Sequence, residues 1–305
     1  MEIFPQILIS GAAGMVGGAL QAHLQMQGIP YVKLVRQNPS PGSSAFFWDP
    51  YHFQFREDMR RLNGIRAAIH LSGDNLSQGR WTREKKHRIA SSRIETTRAL
   101  VALLARLEPL PEVLVCASAV GYYGDRDGEL LTETSAPGAG FLPDVCQRWE
   151  AAADAAAAIG IRVVHLRFGV ILGRQGGALK KMLPIFKLGL GGCMGSGAQW
   201  MSWIPLAEVP RVVDFCLAQP GMSGPVNVVS PQPVTNREFT RSLARQLHRP
   251  AVLPAPALAL RLAFGEMATA TVLASTRAVP AKLQSLGYTF GHSTLDAAWP
   301  SILSH

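Results

Sequence analysis

The stretch Gly11-Ala12-Ala13-Gly14-Met15-Val16-Gly17 lies between a short apolar run, residues 7–9, and a segment with helical periodicity, residues 15–27. A glycine at its first position allows the backbone angles of a tight turn, the second lets a pyrophosphate approach, and the third lets the helix pack closely on the sheet. The helix then presents free N–H groups and the positive end of its dipole to an anion. The pattern predicts that these seven residues hold the phosphates of a dinucleotide; the alternative is a plain turn between a strand and a helix.

Strand-like and helix-like segments alternate through the first half of the chain. Predicted strands cover residues 7–9, 31–35, 67–71, 113–116 and 162–166, and predicted helices cover residues 15–27, 82–107 and 143–160. Gly28 is placed to end the first helix, and Thr82 can cap the second. This alternation predicts an α/β fold with a Rossmann-type, doubly wound parallel sheet, whose ligands bind at the carboxyl ends of the strands.

The composition of the sequence changes after about Ile171. Glycines become frequent from residue 173 to residue 197, and two tryptophans follow. Further on, the pattern predicts helices at about 209–217 and 236–247 and a strand at 226–229. We therefore predict a dinucleotide-binding Rossmann domain over residues 1–170 and a smaller C-terminal substrate-side lobe over residues 171–305, which partly returns to the sheet.

The end of the second predicted strand, Leu34-Val35-Arg36, bears on the kind of dinucleotide. Rossmann proteins that bind NAD carry an acidic residue here, which accepts hydrogen bonds from the ribose 2′-hydroxyl. Arg36 instead can pair with a 2′-phosphate. Val35 and Arg36 are therefore candidate cofactor residues that indicate NADP, and an exposed loop arginine without a ligand is the alternative.

The chain has 305 residues, of which 30 are basic and 21 acidic, giving a net charge of +9. A basic balance attracts anions such as nucleic acid, acidic membranes or phosphorylated small molecules, or it serves only solubility. The charge is dispersed apart from residues 80–88, without a basic repeat or zinc-finger spacing. We therefore expect a small-molecule substrate and no nucleic-acid partner.

Four cysteines, at positions 116, 146, 193 and 216, form no C-x-x-C pair, which predicts reduced buried thiols and no metal site. The start, residues 1–5, shows no secretory pattern. The most apolar region, residues 252–274, is interrupted by Pro254, Pro256, Arg261 and Glu266, so it is interpreted as core and interface instead of a membrane span. We expect a cytoplasmic protein without a membrane partner; its oligomeric state stays open.

Several motifs together resemble those of the extended short-chain dehydrogenase/reductases. The glycine spacing G-x-x-G-x-x-G is similar to theirs, as are His70-Leu71-Ser72-Gly73-Asp74-Asn75, the stretch from Cys116 to Gly124, Leu131-Thr132-Glu133, and Arg167-Phe168-Gly169-Val170-Ile171-Leu172-Gly173. In that family the second motif lies against the adenosine ribose and diphosphate, and the last lies beside the nicotinamide. The resemblance implies cofactor contacts by Leu71, Ser72, Gly73, Asn75, Ala117, Arg167 and Ile171.

A narrower resemblance covers the chain from about Ile7 to Trp299. Its marks are Arg80-Trp81, the segments 92–97, 149–152 and 188–192, and a tail with Pro254-Ala255-Pro256, Phe264-Gly265-Glu266-Met267, Pro280-Ala281-Lys282-Leu283 and Leu286-Gly287-Tyr288-Thr289-Phe290. These resemble an atypical subgroup called the epimerase family, close to the nucleoside-diphosphate-sugar epimerases. The resemblance implies an NADP-dependent enzyme for a hydroxyl- or carbonyl-bearing substrate. Nucleotide sugars are one class of substrate that it implies.

The Tyr-x-x-x-Lys pair that carries the chemistry of the wider family is missing. Counting back from Glu150 places Leu142 at the tyrosine position and Cys146 at the lysine position. Leucine has no proton to transfer, and a neutral thiol provides no positive charge. The narrower subgroup shows the same departure.

Other residues become candidates for the chemistry. Ser118 is a candidate to hydrogen-bond a substrate carbonyl, and Tyr122 or Tyr123 a candidate to supply the proton; the alternatives are a satisfied buried serine and packing tyrosines. Arg93 is a candidate for cofactor contact, against a solvated helix face. The set Gln199, Trp200, Met201 and Trp203 is predicted to line the substrate side, against ordinary core.

Two functions follow from these features. The first is an NADP(H)-dependent oxidoreductase or epimerase-like enzyme, in which the nicotinamide carries the chemistry and the protein orients both partners. The second is a regulatory protein that binds NADPH but catalyses little, which the missing tyrosine and lysine favour.

Overall fold

The computed structural model describes residues 7–40, 42–55 and 58–304. Residues 1–5, on which the prediction of no secretory signal rests, lie outside the described residues. The first half contains these elements in order: β1 Ile7–Ser10, α1 Met15–Met26, β2 Tyr31–Val35, β3 Ala45–Asp49, β4 Gln54–Phe55, β5 Ala67–His70, α2 Arg83–Leu104, β6 Val113–Ala119, β7 Leu130–Leu131, α3 Phe141–Asp154, β8 Arg162–Phe168 and β9 Val170–Leu172.

The second half adds α4 Gly177–Lys187, β10 Trp200–Met201, β11 Trp203–Pro205, α5 Glu208–Ala218, β12 Gly224–Val228, β13 Val234–Thr235, α6 Asn236–Leu247, α7 Ala257–Phe264, β14 Arg277–Ala278, α8 Ala281–Ser285 and α9 Leu295–Ser304. Strand β12 joins the main sheet, and three pairs of short strands, β10 with β13, β11 with β9 and β14 with β7, lie outside it.

The main sheet has the strand order β12-β8-β6-β5-β1-β2-β3-β4. All of its strands run parallel except β4, which pairs antiparallel with β3. The chain leaves β1 towards β2 and later returns on the other side through β5, so its direction reverses between β1 and β5. The predicted Rossmann-type α/β fold is confirmed, and this reversal is where such sheets bind ligands.

Each face of the sheet is covered by helices. One apolar cluster joins the sheet to α2 and α3 through residues such as Leu100 and Trp149, and a second joins it to α1 and α5 through residues such as Leu20 and Val212. Strands buried on both faces explain why the sequence shows short continuous apolar runs and little alternation.

The helix boundaries follow local signals. Gly28 has a φ of +67° directly after the cap residue of α1, and the Thr82 side chain accepts a hydrogen bond from Lys85 N at the start of α2. The start of α6 carries a capping box formed by Thr235 and Glu238. These signals explain why the predicted ends of α1, α2 and α6 lie close to the observed ones. Helix α3 ends at Asp154, whereas the sequence predicts a helix as far as Gly160.

Two features of the second half differ from the sequence prediction. Helix α4 lies in the glycine-rich region, where the pattern predicts no helix; it begins at Gly177, whose φ of +65° ends the preceding turn. Helix α7 lies inside residues 252–274, which were interpreted as core and interface, yet it has no buried residue. Among the described residues, no helix has the length and the hydropathy of a membrane span.

Candidate functional site

The glycine loop between β1 and α1 packs against the loop that follows β5. Gly11 has a φ of +73°, and a Cβ placed on it would lie 2.5 Å from the backbone carbonyl carbon of Leu71. A Cβ on Gly17 would lie 2.5 Å from the Gly11 oxygen. The Gln21 side-chain amide donates to the Ala12 carbonyl across 2.7 Å and holds the loop on the helix. The first and third glycines are therefore required by close contacts, whereas Ala13 and Gly14 are exposed at the surface of the loop.

A cavity of about 210 Å³ opens at the carboxyl ends of the central strands, beside this loop. Five predicted site residues line it, namely Val16, Leu71, Arg93, Ala117 and Ser118, together with others that include Leu76, Ala119, Gly121, Val145, Trp149 and Phe168. The cavity lies at the position that the fold assigns to a ligand.

Arg93 of α2 reaches the wall of this cavity from the helix side. Its guanidinium donates to the carbonyls of Ile89 and Asp74, and it lies 5.2 Å from the centre of the Trp149 ring. A Cβ on Gly73 would lie 3.1 Å from its central carbon. Burial lowers the pKa of Arg93 from its usual value. The structure thus places Arg93 at the cavity and excludes a solvated helix face.

The remaining residues of the β5 loop differ in exposure. Ser72 is half-buried, and Asn75 is exposed and caps a turn by accepting from the Ser77 backbone N–H across 2.9 Å. Lys85 donates to the Asn75 carbonyl and forms an ion pair with Asp74, both across 2.7 Å. These contacts fix the loop from the helix side.

Arg36 lies at the bend that follows β2, next to the half-buried Val35, and it is exposed. Burial raises the pKa of the neighbouring Tyr51 phenol, and the positive charge of Arg36 acts against that rise. Arg36 therefore stands at the carboxyl end of β2 with its charge open to solvent.

Three polar residues lie side by side across three neighbouring strands. Ser118 of β6 pairs in register with Arg167 of β8, and Arg167 pairs with Asn227 of β12. Glu150 of α3 lies above this row, accepting from Ser118 Oγ across 2.6 Å and from Arg167 Nε and Nη2 across 2.8 Å each. The Ser118 hydroxyl hydrogen is thus committed to Glu150, so its oxygen offers a lone pair to the cavity.

The structure does not bring Arg167, a predicted cofactor residue, to the cavity. Arg167 is buried, is absent from the cavity lining, and uses its donors on Glu150, on the Tyr123 hydroxyl and on the Glu133 carbonyl. Burial alone would lower its pKa, but the hydrogen bonds and charge of Glu150 raise it well above the usual value. Arg167 holds Glu150, and through it Ser118.

The two tyrosines after β6 have different surroundings. Tyr123 is fully buried, donates to Asn227 Oδ1 across 2.7 Å and accepts from Arg167 Nη1 across 3.0 Å. Burial raises its pKa. The structure therefore places Tyr123, a predicted proton donor, in the core with both hydrogen bonds of its hydroxyl inside the protein. Tyr122 is half-buried with its ring centre 3.5 Å from the Arg167 guanidinium carbon, and within the described residues no hydrogen bond involves its hydroxyl.

Leu142 and Cys146, the residues at the positions of the missing pair, both line the cavity. Burial raises the pKa of the Cys146 thiol to about 12, so it is neutral at pH 7. Alignment by counting from Glu150 therefore identified the right wall of the site, and that wall carries neither a hydroxyl nor a cation at these two positions.

The residues predicted to line the substrate side lie away from this cavity. Trp203 is fully buried beside Phe239 and Trp299 in a third core cluster, and Gln199 is buried with its amide donating to the carbonyls of Met194 and Val272. The structure therefore does not bring Gln199 and Trp203 to the cavity and places both in the interior. Trp200 and Met201 are half-buried in β10, and Ile171 is half-buried in β9; none of the three lines the cavity.

Glu150 and Asn227 are the residues that sequence reasoning missed as members of the network. Glu150 served there only as a reference for counting, and Asn227 drew no attention within the predicted strand 226–229. A charged or amide side chain inside a predicted buried strand or on a buried helix face is the signal that was present, because such groups need partners.

Comparison with known proteins agrees with this geometry. A family model described as the NAD dependent epimerase/dehydratase family matches residues 7–229. The chain belongs to this family. A second model, a domain of unknown function called DUF1731, matches residues 255–299, which contain α7, β14 and α8. The resemblance of the tail to the atypical subgroup is thereby confirmed.

Relatives match this chain over nearly its whole length. An epimerase family protein of Mycobacterium bovis, Mb2239, is 40% identical over 292 residues, covering 96% of this chain and 95% of its own. YfhF of Bacillus subtilis is 34% identical and covers 98% of both chains. The solved structure of the human epimerase family protein SDR39U1 with NADPH has a TM-score of 0.88 at 29% identity, covering 98% of this chain and 99% of that one.

Proposed function

We propose that this epimerase family member binds NADP(H) and exchanges hydride with a small hydroxyl- or carbonyl-bearing substrate. The observation that carries the proposal is the glycine cradle beside the cavity: Gly11 and Gly17 have no room for a side chain, and Val16, which lies between them in the sequence, lines the cavity. Such a cradle fits a diphosphate because the free N–H groups of α1 begin there. The human relative solved with NADPH supports the same choice of nucleotide.

The proposed contacts divide the dinucleotide among four parts of the site. The loop from Gly11 to Gly17 holds the diphosphate, and Arg36 pairs with the 2′-phosphate. Leu71, Gly73 and Arg93 flank the ribose and diphosphate from the β5 and α2 side, and Ala117 faces the nicotinamide end. When bound, the nicotinamide supplies or accepts the hydride.

The residues around the reacting end handle the substrate oxygen. Ser118 Oγ, whose hydrogen goes to Glu150, accepts a hydrogen bond from a substrate hydroxyl. Tyr122 does not line the cavity itself but directly follows Gly121, which does. It is the proposed proton donor for a carbonyl, because its hydroxyl has no hydrogen-bond partner within the described residues and its ring lies against Arg167. Leu142, Val145 and Phe168 provide apolar walls that limit water.

A second candidate function has its own observation in favour. The two positions that carry tyrosine and lysine in the wider family are Leu142 and a neutral Cys146, both on the cavity wall. A protein that binds NADPH and signals its presence to a partner needs the cradle but neither of those groups. This alternative therefore keeps nucleotide binding and drops turnover.

One experiment separates the two functions. Calorimetry with NADPH and NADH comes first, and absence of NADPH binding contradicts both. The protein is then mixed with NADPH and a panel of aldehydes and ketones, and with NADP and a panel of alcohols, while absorbance of the reduced nicotinamide is followed. Turnover that is lost in Tyr122→Phe supports the enzyme; tight binding without turnover on any panel, with partner capture only in the presence of NADPH, supports the sensor.

The proposal places the protein in the cytoplasm. The four cysteines are all free thiols, three of them buried and Cys193 half-buried. Free thiols persist in a reducing compartment. A fractionation experiment that finds the protein in an oxidising compartment contradicts this location.

A further inference from the structure

One surface of the second half of the chain is unusually apolar. Fourteen large hydrophobic side chains are exposed among the described residues, and eight of them lie between residues 185 and 264. These eight are Ile185, Leu188, Leu190, Val252, Leu253, Leu258, Leu262 and Phe264, and we call the surface that they form with the cations near them the α4–α7 surface. Exposed apolar side chains gathered in one place mark a contact site.

Backbone hydrogen bonds join the segments of this surface. Leu190 N donates to the Ile185 carbonyl across 3.1 Å at the end of α4, and Leu253 N donates to the Gly191 carbonyl across 3.1 Å. Ala255 N then donates to the Cys193 carbonyl across 2.8 Å, two residues before α7 begins. The chain from 185 to 193 and the chain from 252 to α7 therefore lie side by side.

Helix α7 is the clearest part of the surface. Its eight residues, Ala257–Phe264, include no buried one, and Leu258 and Leu262 are 67% and 68% exposed. They stand four residues apart, so they share one side of the helix. A short helix that buries nothing against its own protein is stabilised when its apolar side finds another environment.

Cations outnumber carboxylates around the surface. Residues 155–207 and 239–265 contain no aspartate or glutamate, although the chain has 21 acidic residues. Arg241, Arg245, His248 and Arg249 line an open groove at the end of α6, and Arg249 Nε donates to the Lys187 carbonyl across 3.0 Å beside Leu188. Asp296 pairs with Arg245, and Glu266 pairs with Lys86 at the edge; Lys187, Arg241 and Arg261 have no ion pair within the described residues.

We propose that the α4–α7 surface docks on an anionic phospholipid bilayer. Its leucine and phenylalanine side chains enter the boundary between headgroups and acyl chains, and its cations meet the anionic headgroups. A second copy of the chain is a poor occupant, because a two-fold contact would bring Lys187, Arg249 and Arg261 against cations of the same surface. The expectation of no membrane partner covers peripheral contact as well as spanning, so this proposal departs from it.

The docking surface adjoins the wall of the cavity. Met267, three residues beyond α7, packs in one cluster with Trp81, Ile89 and Leu142. Leu142 also lines the cavity. The bilayer-facing helix and the candidate site are thus joined through one packed cluster, although docking does not depend on the proposed redox function.

Vesicle flotation of the full chain tests the proposal. The purified protein is mixed with vesicles of phosphatidylcholine alone and with vesicles in which about a third of the lipid is phosphatidylglycerol. We expect binding to the second kind that weakens with added salt, because salt screens the cations. Arg241→Gln is expected to lower the affinity about fivefold, and Leu262→Ser by a similar factor.

Two matched controls make the same kind of substitution at exposed positions outside the α4–α7 surface. Arg98→Gln removes one exposed cation from α2, and Met26→Ser removes an apolar side chain that is 80% exposed at the end of α1. Both are expected to bind vesicles like the parent. All four variants change exposed side chains, so circular dichroism melts should coincide and show that lost binding is not lost folding.

Three results overturn the proposal. The first is no binding of the parent protein to phosphatidylglycerol vesicles. The second is loss with Arg241→Gln but not with Leu262→Ser, which indicates that the surface attracts anions in general and that its apolar side chains do not enter the lipid. The third is concentration-dependent self-association that Leu262→Ser abolishes, measured by sedimentation without lipid, which indicates a second copy.

Discussion

The Ser118 hydroxyl donates to the Glu150 carboxylate across 2.6 Å, where the cavity wall meets a buried ion pair. Arg167 binds the same carboxylate through Nε and Nη2, and both charged side chains are almost wholly buried. Glu150 therefore binds Ser118, which lines the cavity, and Arg167, which lies in the core. Within the part of the chain that the structure describes, Arg167 is the ion-pair partner of Glu150, and that dependence can be measured.

Glu150→Gln is expected to lower the free energy of unfolding by about 3–5 kcal/mol, because it leaves the buried Arg167 cation without its counter-charge. Urea denaturation measures the change. Asp144→Asn, which breaks the exposed pair with Arg148 on the same helix, should cost less than about 1 kcal/mol. Equal effects of the two substitutions would contradict the assignment of a buried, charge-balancing role to Glu150.

Two neighbouring glycines of α1 give a matched pair. A Cβ on Gly17 would lie 2.5 Å from the Gly11 oxygen, whereas a Cβ on Gly18 meets nothing within 4 Å. Gly17→Ala should displace the glycine loop and lower NADPH affinity about tenfold or more. Gly18→Ala should leave affinity unchanged and raise stability by about 0.5–1 kcal/mol, because alanine is the better helix former. Calorimetry measures the NADPH affinity and thermal melts measure the stability of each variant. A similar loss of affinity in both variants would contradict the assignment of the glycine loop as the diphosphate site.

The choice of nucleotide depends on Arg36. Arg36→Asp should lower NADPH affinity about tenfold to a hundredfold, the usual range for a lost charge-assisted hydrogen bond, and raise the relative affinity for NADH. Competition calorimetry with both nucleotides measures the ratio. Arg98→Gln, a change of an exposed cation on α2, serves as the control. An unchanged NADPH-to-NADH ratio in Arg36→Asp would remove the basis for NADP preference.

Tyr122 and Tyr123 should separate stability from chemistry. Tyr123→Phe leaves Asn227 and Arg167 with unmet hydrogen bonds and should lower the unfolding free energy by about 1–3 kcal/mol. Tyr122→Phe removes a hydroxyl without a described partner and should leave stability unchanged. If Tyr122 donates the proton, turnover in that variant falls about a hundredfold or more. A stability loss in Tyr122→Phe larger than in Tyr123→Phe would reverse the assignment.

The features that the sequence predicted well are local or carried by a continuous motif. The glycine loop, the cap at Thr82 and the stop at Gly28 each depend on a few adjacent residues, and all were correctly placed. Counting along α3 from Glu150 also located the cavity wall, because a helix fixes the spacing of the residues on one side.

The features that the sequence missed depend on strand register and long-range packing. Ser118, Arg167 and Asn227 are neighbours only because β6, β8 and β12 pair in one register, which no local pattern specifies. Trp203 belongs to the core because it packs with Phe239 of α6 and Trp299 of α9, which lie much further along the chain. An aromatic residue after a glycine-rich loop suits a substrate wall and a core equally, and only the packing decides.

Acid sensitivity should depend on His70, a fully buried residue of β5. Its Nδ1 lies 2.5 Å from Ser10 Oγ, and burial lowers its pKa from 6.5 to about 3. Below pH 6.5 the His70 imidazole binds a proton in the unfolded chain but stays neutral in the native protein. The stability present above pH 6.5 is therefore lost as the pH falls towards about 3. This one site contributes a slope of up to about 1.4 kcal/mol per pH unit.

His70→Gln keeps polar atoms in the buried position but does not titrate. Urea denaturation across this pH range should therefore show a flatter acid limb for His70→Gln than for the parent, even though the variant is less stable at neutral pH. His87→Gln, at an exposed position of α2, should retain the parent's slope. Parallel acid limbs for His70→Gln and the parent would mean that His70 takes up its proton in the folded protein, against the burial that the structure shows.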